Sequence, residues 1–254
     1  MTGTLTKIRL YPVKGLSGTD LPEVTLRPGE GLPGDRMLGF ARPGTAFDAA
    51  DPRPMPKTNF LVLMRDAALA GLHTSLDGRV LTIDGRTHDL DTEAGRASAE
   101  AVLAAAAGTG GTPRLVEAAP HRFTDVSVVS PRLMNAVSVL NLASVRAFAD
   151  DIGAPVDPER FRANLLLDGW PPFAELDAVG REIVIGPARL RIVMRTKRCA
   201  ATEVNPDTAE RDLEVPRLIH RHYGHPDMGV YAEVLTGGAL RPGQGAALAD
   251  APVA

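Results

Sequence analysis

The sequence predicts an α+β fold rich in strands: a mixed β-barrel or rolled sheet with helices at its periphery. Segments that read as strands outnumber those that read as helices, and short turns join many of them. The 25 glycines and 21 prolines are spread along the chain, which breaks it into short elements and disfavours a helical bundle. At 254 residues there is enough chain for one large domain or two modest ones. Aromatics make up only 4%, so aliphatic side chains and alanine must fill the core.

The elements follow in order. TLTKIRLYPVKG alternates apolar and polar residues and stops at Gly15, the pattern of a strand entering a loop. EVTLRPGEGLPGDRMLGFAR predicts two strands joined by a glycine-rich turn. FLVLM (60–64) reads as a short buried strand, and RDAALAGLH as a short helix. RVLTIDGRTHDL predicts a hairpin turning at Asp84-Gly85. TEAGRASAEAVLAAAAG holds strong helix formers between a Thr or Asp cap and Gly108.

GTGGTPRLVEAAPHRFTD is poor in hydrophobic residues and rich in breakers, so a boundary is expected near 110–125. The expected division is 1–115 and 116–250. Beyond it come a strand at AVSVL, a helix at ASVRAFADDIG and a strand at RFRANLLLDG. Further strands are expected at REIVIG, ARLRIVMRT and GVYAEVLTGG, a helix over 216–223, and a last strand with a tail in QGAALADAPVA.

Net charge is −3 with no block of like charge, which argues against broad nucleic-acid binding. One cysteine rules out an intrachain disulfide and any cysteine-held cluster or zinc knuckle. MTGTLTKIRLYPVKGL has no apolar run long enough for a signal peptide or membrane span, so the expected location is the cytoplasm, with no membrane partner.

That cysteine, Cys199, stands in RTKRCAATEVNPDT. A lone cysteine is commonly a small buried hydrophobe. Here strand alternation places Arg195, Lys197 and Cys199 on one face, and cationic neighbours favour a thiolate that serves as nucleophile or metal ligand. In DPERFRANLLLDG the same alternation puts Arg162 and Asn164 on one face, either as a solvated polar face or as a grip on one polar group. In YPVKGLSG, Lys14 follows the first strand, and Gly15 and Gly18 let the backbone approach a ligand, although the spacing is not that of a P-loop. In GLPGDRM, a turn is followed by Asp35 and Arg36, and the arginine either joins such a site or simply pairs with a carboxylate. His220, His222 and His225 do not make a zinc site, because i and i+2 on a helix point apart.

Lys14, Arg36, Arg162, Asn164 and Cys199 together read as an anion site with one soft ligand. With these residues the chain resembles the MOSC-domain proteins, relatives of the C-terminal domain of molybdenum cofactor sulfurase and of the mitochondrial amidoxime-reducing component. YPVKGLSG and GLPGDRM resemble the family's N-terminal β-barrel region. SVLNLASV, RFRANLLLDG, RCAATEVNPDT, GVYAEV and LRPGQ resemble the MOSC domain, in the expected order.

The resemblance implies a molybdenum cofactor (Mo-molybdopterin, with tungsten equally compatible) between the two regions, and no pyridoxal phosphate. Cys199 would be the thiolate ligand, since a soft donor suits a metal that already holds dithiolene sulfurs. Lys14, Arg36, Arg162 and Arg198 would clamp the phosphate, near Gly15, and Asn164 would meet the pterin edge. Asn141, capping the helix after SVL, and Ser144 in its first turn would turn that helix N-terminus toward the same anion, although capping alone explains both.

The implied activity is two-electron reduction of a small N-hydroxylated substrate, an amidoxime or hydroxylamine. Electrons would come from a separate flavin or iron–sulfur protein. No proton donor stands out, His225 and Asp227 being the nearest candidates, and PRLMNAVSVL lacks the acidic residue expected near the metal. The same cysteine would serve a sulfur-transfer protein carrying a persulfide, or a carrier of the cofactor.

Overall fold

The computed structural model describes residues 1–249; the tail expected after the last strand lies mostly outside them, as does residue 250, the end of the second expected region. In chain order the first half holds β1 (Thr2–Leu10), β2 (Thr19–Leu21), β3 (Val24–Leu26), β4 (Leu38–Ala41), β5 (Thr74–Asp77), β6 (Val80–Ile83), β7 (Arg86–Asp89), α1 (Glu93–Ala107) and β8 (Arg114–Glu117). The second half holds β9 (Val137–Asn141), α2 (Leu142–Ile152), β10 (Leu165–Asp168), β11 (Glu182–Ile185), β12 (Ala188–Lys197), α3 (Val215–Tyr223), β13 (Asp227–Thr236), β14 (Gly238–Leu240) and β15 (Gly245–Leu248).

Seven strands close a mixed barrel in the order β10-β9-β13-β12-β11-β15-β1, with β1 returning to β10 and β2 lying outside β1. Closure abolishes sheet edges, the usual liability of an open sheet. The parallel pair among the barrel strands, β9 and β10, needs a crossover, and α2 lies in it. Alternation drives the inward faces: Ala188, Leu190 and Ile192 on β12 are buried while Arg189 and Arg191 are exposed. They meet Leu5, Ile8, Val139, Leu165, Leu167, Ile183, Val230 and Trp170 in the barrel core.

The first half adds two small sheets, β4–β8 and β5–β6–β7, around a second core of Val13, Leu38, Phe40, Leu61, Leu81, Ile83, Leu103 and Leu115. The predicted hairpin turns at Asp84 and Gly85, both with positive φ as such a tight turn requires. Helix α1 is capped as its sequence indicates: Thr92 accepts from the Gly95 N–H, and Gly108 takes the left-handed conformation. In a third cluster, α2 and α3 bury Val145, Phe148, Val215 and Ile219 against Leu140, Phe161 and Met228.

Several local expectations are corrected. FLVLM is not a strand: only Phe60 makes a single bridge, to Ala41, and the buried residues after it run through a turn. RDAALAGLH forms a 3-10 helix, Ala67–Gly71. The strands in EVTLRPGEGLPGDRMLGFAR do not pair with each other; β3 joins β14 and β4 joins β8. RFRANLLLDG starts as a 3-10 helix, Pro158–Phe161, begun at the Asp157 cap and Pro158, and extends only from Leu165. As a proposal about folding units, the division at 115/116 must account for β1, which pairs with β10 and β15.

Candidate functional site

Where the barrel meets the first half, a cavity of about 140 Å³ is lined by Lys14, Gly15, Arg36, Arg162, Asn164, Arg198 and Cys199 together. Seven of the sequence-derived candidates thus converge from four separate stretches of chain. Lys57, Asp125, Ser138, Thr196, Lys197 and Tyr231 line it too. A second cavity of about 320 Å³ shares Gly15, Leu63, Arg160 and Arg162 as walls.

Local structure positions each group. Lys14 and Gly15 sit in the loop after β1, where a Cβ on Gly15 (φ +82) would fall 2.4 Å from the Leu61 carbonyl oxygen. The close approach therefore requires glycine. Arg36 and Arg162 both adopt left-handed backbone, at φ 52 and 50, which swings each side chain off the run of its neighbours. Their guanidiniums lie over the buried Tyr11 ring, 5.0 and 4.3 Å from its centroid. Burial pushes the Tyr11 phenol up to about 12.

The cations are unevenly balanced. Lys14 and Lys57 share one carboxylate, Asp125; Arg36 pairs with Asp35, and Arg160 with Asp212 at 2.7 Å. Arg162 and Arg198 pair with no carboxylate among the described residues. Arg162 donates to the Leu16 carbonyl at 2.7 Å, and Arg198 to those of Met228 and Phe161 at 2.7 and 2.9 Å. Burial lowers both guanidiniums to about 10, so each carries its charge at neutral pH against a desolvation penalty. Three buried polar atoms of cavity-lining residues, Arg160 Nε, Thr196 Oγ1 and Arg198 Nη2, have no hydrogen-bond partner among the described residues. Such atoms are costly unless something meets them.

Asp125 is the anion that holds the lysines. Burial acts to raise its carboxyl, but the Lys14 and Lys57 ammoniums outweigh that and hold it well below the usual carboxylate range. Because the native state keeps this proton off more strongly than the unfolded chain does, the stabilisation is complete above the ordinary carboxylate value and fades as pH falls below it. The stability gap between the wild type and Asp125→Asn is therefore expected to be constant above about pH 5 and to narrow below about pH 4, as read by urea denaturation across that range.

Three features depart from the sequence reading. Arg195 does not collar Cys199: β-bulges between Ile192/Met194 and Arg195/Lys197 break the alternation. Arg195 instead bonds the Leu176 carbonyl and Asp177, both at 2.8 Å. The strand ends at Lys197, and Cys199 precedes a 3-10 helix, Ala200–Glu203. The cation on the sulfur is Lys57, whose Nζ lies 3.1 Å from Cys199 Sγ. Lys57 and Asp125 stand in unremarkable segments, MPKTNF and RFTDVS, and no spacing rule links either to Cys199. An acidic residue does reach the cavity, but from Asp125, upstream of PRLMNAVSVL.

Asn164 lines the cavity with nothing left to offer a ligand. Its oxygen accepts from the Ser138 N–H and hydroxyl, and its NH₂ donates to the Arg9 carbonyl and to Asp35, which uses both donors and both lone pairs. It braces the wall. Asn141 and Ser144 lie away from the cavity: Asn141 caps α2 through the Ala143 N–H, and both bond the buried Glu175 carboxylate. The helix N-terminus thus faces an anion of the chain itself, whose carboxyl burial raises. His225 and Asp227 do not line the cavity.

Fold and cavity define a closed mixed β-barrel domain whose one thiol opens into a cation-lined cavity. A family model described as MOSC domain matches residues 119–246, half of the sequence. The chain belongs to the MOSC domain family, which is linked to molybdenum cofactor enzymes. Molybdenum cofactor sulfurase of Drosophila willistoni is 35% identical over 101 residues, 39% of this chain and 12% of that protein; the chain spans only that small share of this relative. Among solved structures, the YuaD protein of Bacillus subtilis has a TM-score of 0.45 and 14% identity, covering 97% of this chain and 94% of its own. YiiM of Geobacillus stearothermophilus gives 0.36 and 21% over 46% of this chain and 55% of its own. Among the described residues, no helix is long and apolar enough to cross a membrane, and no cluster of three or more His, Cys, Asp or Glu could hold a metal ion.

Proposed function

We propose that this chain binds molybdenum cofactor in the cavity beside Cys199 and reduces N-hydroxylated compounds. The observation that carries the reading is a half-buried thiol in a cavity whose buried arginines, Arg162 and Arg198, form no ion pair with a carboxylate among the described residues. A phosphate monoester brings about −1.5 to −2 charge near neutral pH, which suits those guanidiniums. Unpartnered Thr196 Oγ1 and Arg198 Nη2 give such a ligand further contacts. With one thiolate available, a metal at Cys199 would have to arrive with its other ligands, as a dithiolene-held metal does. The residues fit the group.

In this reading Cys199 ligates the metal, while Arg162, Arg198, Arg36 and Lys14 hold the anionic part, with the second cavity giving room beyond Arg162. When bound, the cofactor supplies a two-electron couple. The chain's own share is to orient the sulfur through Lys57 and to brace the wall through Asn164 and Asp35. The overall change is R–C(=NOH)NH₂ + 2 e⁻ + 2 H⁺ → R–C(=NH)NH₂ + H₂O, with electrons from a separate flavin or iron–sulfur protein.

Elemental mass spectrometry of protein from a cofactor-competent host, with benzamidoxime reduction by a chemical donor, tests this directly. Near-stoichiometric molybdenum with turnover supports it. The sulfurase match favours a second reading, a persulfide on Cys199 passed to an acceptor; protein without molybdenum but with cyanide-releasable sulfur selects it. Bound cofactor that moves to an apo-enzyme without turnover selects a carrier instead.

The anion site has its own test. Inorganic pyrophosphate added to cofactor-free protein is expected to raise stability by about 2.7 kcal/mol at a hundredfold excess over its dissociation constant. Arg162→Ala is expected to weaken that binding roughly 10- to 100-fold, the size of one charge-assisted hydrogen bond. Calorimetry and thermal melts read both.

A further inference from the structure

Lys57 is the cation in direct contact with the Cys199 sulfur, and both line the cavity. Its ammonium donates to Cys199 Sγ at 3.1 Å and lies 3.2 Å from Asp125 Oδ2. An ammonium has three N–H donors, and among the described residues no third acceptor lies within hydrogen-bonding distance. The side chain keeps 27% of its surface exposed and lines the cavity, so the remaining donor is reached from solvent.

The surroundings reinforce the sign. Lys197 and Arg198 flank the sulfur in sequence and line the same cavity. Asp125 is the cavity's one carboxylate among the described residues, and its two oxygens are already engaged by Lys14 and Lys57. A cationic group arriving beside Cys199 meets like charge and finds no free carboxylate among the described residues of the wall. A group that presents an acceptor or a negative charge finds a donor already held in place.

Resting on the reductase reading, we infer that Lys57 is the specificity-determining residue of this site. It selects hydroxamic acids, which place a carbonyl acceptor next to the N–O group, over amidoximes, which place a donating NH₂ there and yield a cationic product. The two classes are nearly isosteric, so the difference is one of hydrogen-bond polarity and charge. The reaction selected is R–C(=O)NHOH + 2 e⁻ + 2 H⁺ → R–C(=O)NH₂ + H₂O, with the same external electron donor.

The experiment compares benzhydroxamic acid with benzamidoxime on molybdenum-loaded protein, and measures equilibrium binding of the unreactive pair benzoate and benzamidine by calorimetry. Wild type is expected to favour benzhydroxamic acid in kcat/KM, chiefly through KM, and benzoate over benzamidine, each by roughly 10-fold or more. Lys57→Gln should lose most of both preferences, and Lys57→Arg should keep them. Equal binding of benzoate and benzamidine by the wild type overturns the proposal without recourse to any variant, as does a Lys57→Gln protein with unchanged preferences. Should neither substrate be reduced, the reductase reading fails, while the benzoate and benzamidine comparison still decides whether Lys57 selects by charge.

Discussion

Replacing Cys199 by serine is expected to abolish benzamidoxime reduction and to strip the protein of molybdenum, with the fold unchanged. Serine is close in size but is a hard, neutral oxygen where the proposed metal requires a soft anion. Loss of a supporting group around a metal typically costs about 10- to 100-fold, so loss of the one protein ligand is expected to exceed about 100-fold in activity. The thiol is only half-buried and its protein hydrogen-bond partner is Lys57, so folding stability should change by no more than about 1 kcal/mol. Molybdenum per chain by elemental mass spectrometry, turnover, and a urea denaturation curve read the three parts separately. A Cys199→Ser protein that reduces benzamidoxime at the normal rate removes the proposed ligand.

The second large effect concerns stability. Trp170→Ala is expected to destabilise the fold by about 3–5 kcal/mol, the range for deleting a large aromatic from a packed interior. Trp170 is 2% exposed, packs in the barrel core just after β10, and donates through Nε1 to the Ala246 carbonyl on β15 at 3.1 Å. Gly3 on β1 leaves it room: a Cβ there would come within 2.7 Å of the indole. One side chain therefore ties three barrel strands together, and its removal leaves a void that rigid strands cannot close. Since this is the chain's one tryptophan, far-UV circular dichroism rather than intrinsic fluorescence should follow the denaturation. A loss below about 1 kcal/mol would show that the barrel collapses around the void at little cost.

The sequence exposes the barrel because its strands alternate and its turns carry glycine or proline where the chain must reverse. α1 is legible to its ends because Thr92 and Gly108 cap it in the usual way. What stays hidden is non-local. FLVLM has the composition of a strand but no neighbouring strand to pair with along its length, so tertiary context overrides propensity.

In the candidate site, Cys199 is legible as the one thiol among cations and Lys14 by the glycines beside it, whereas Arg162 is reached through a strand alternation that the 3-10 helix Pro158–Phe161 replaces. Arg195 misleads because a bulge shifts the count by one, and the sequence does not announce bulges. Lys57 and Asp125 are invisible for another reason: each is an ordinary surface residue type until the fold sets them 3.2 Å apart beside the thiol. Asn141 and Ser144 show the reverse failure, since the anion that their helix faces is internal, Glu175.

Strand β1 leads into the loop with Lys14 and is clamped between β10 and β15, elements more than 150 and 230 residues on in sequence. On the ribosome, the circle of strands stays open until residues 245–248 have emerged. The segment that carries Lys14 to one wall of the pocket is thus braced on both flanks only once that strand has joined the ring.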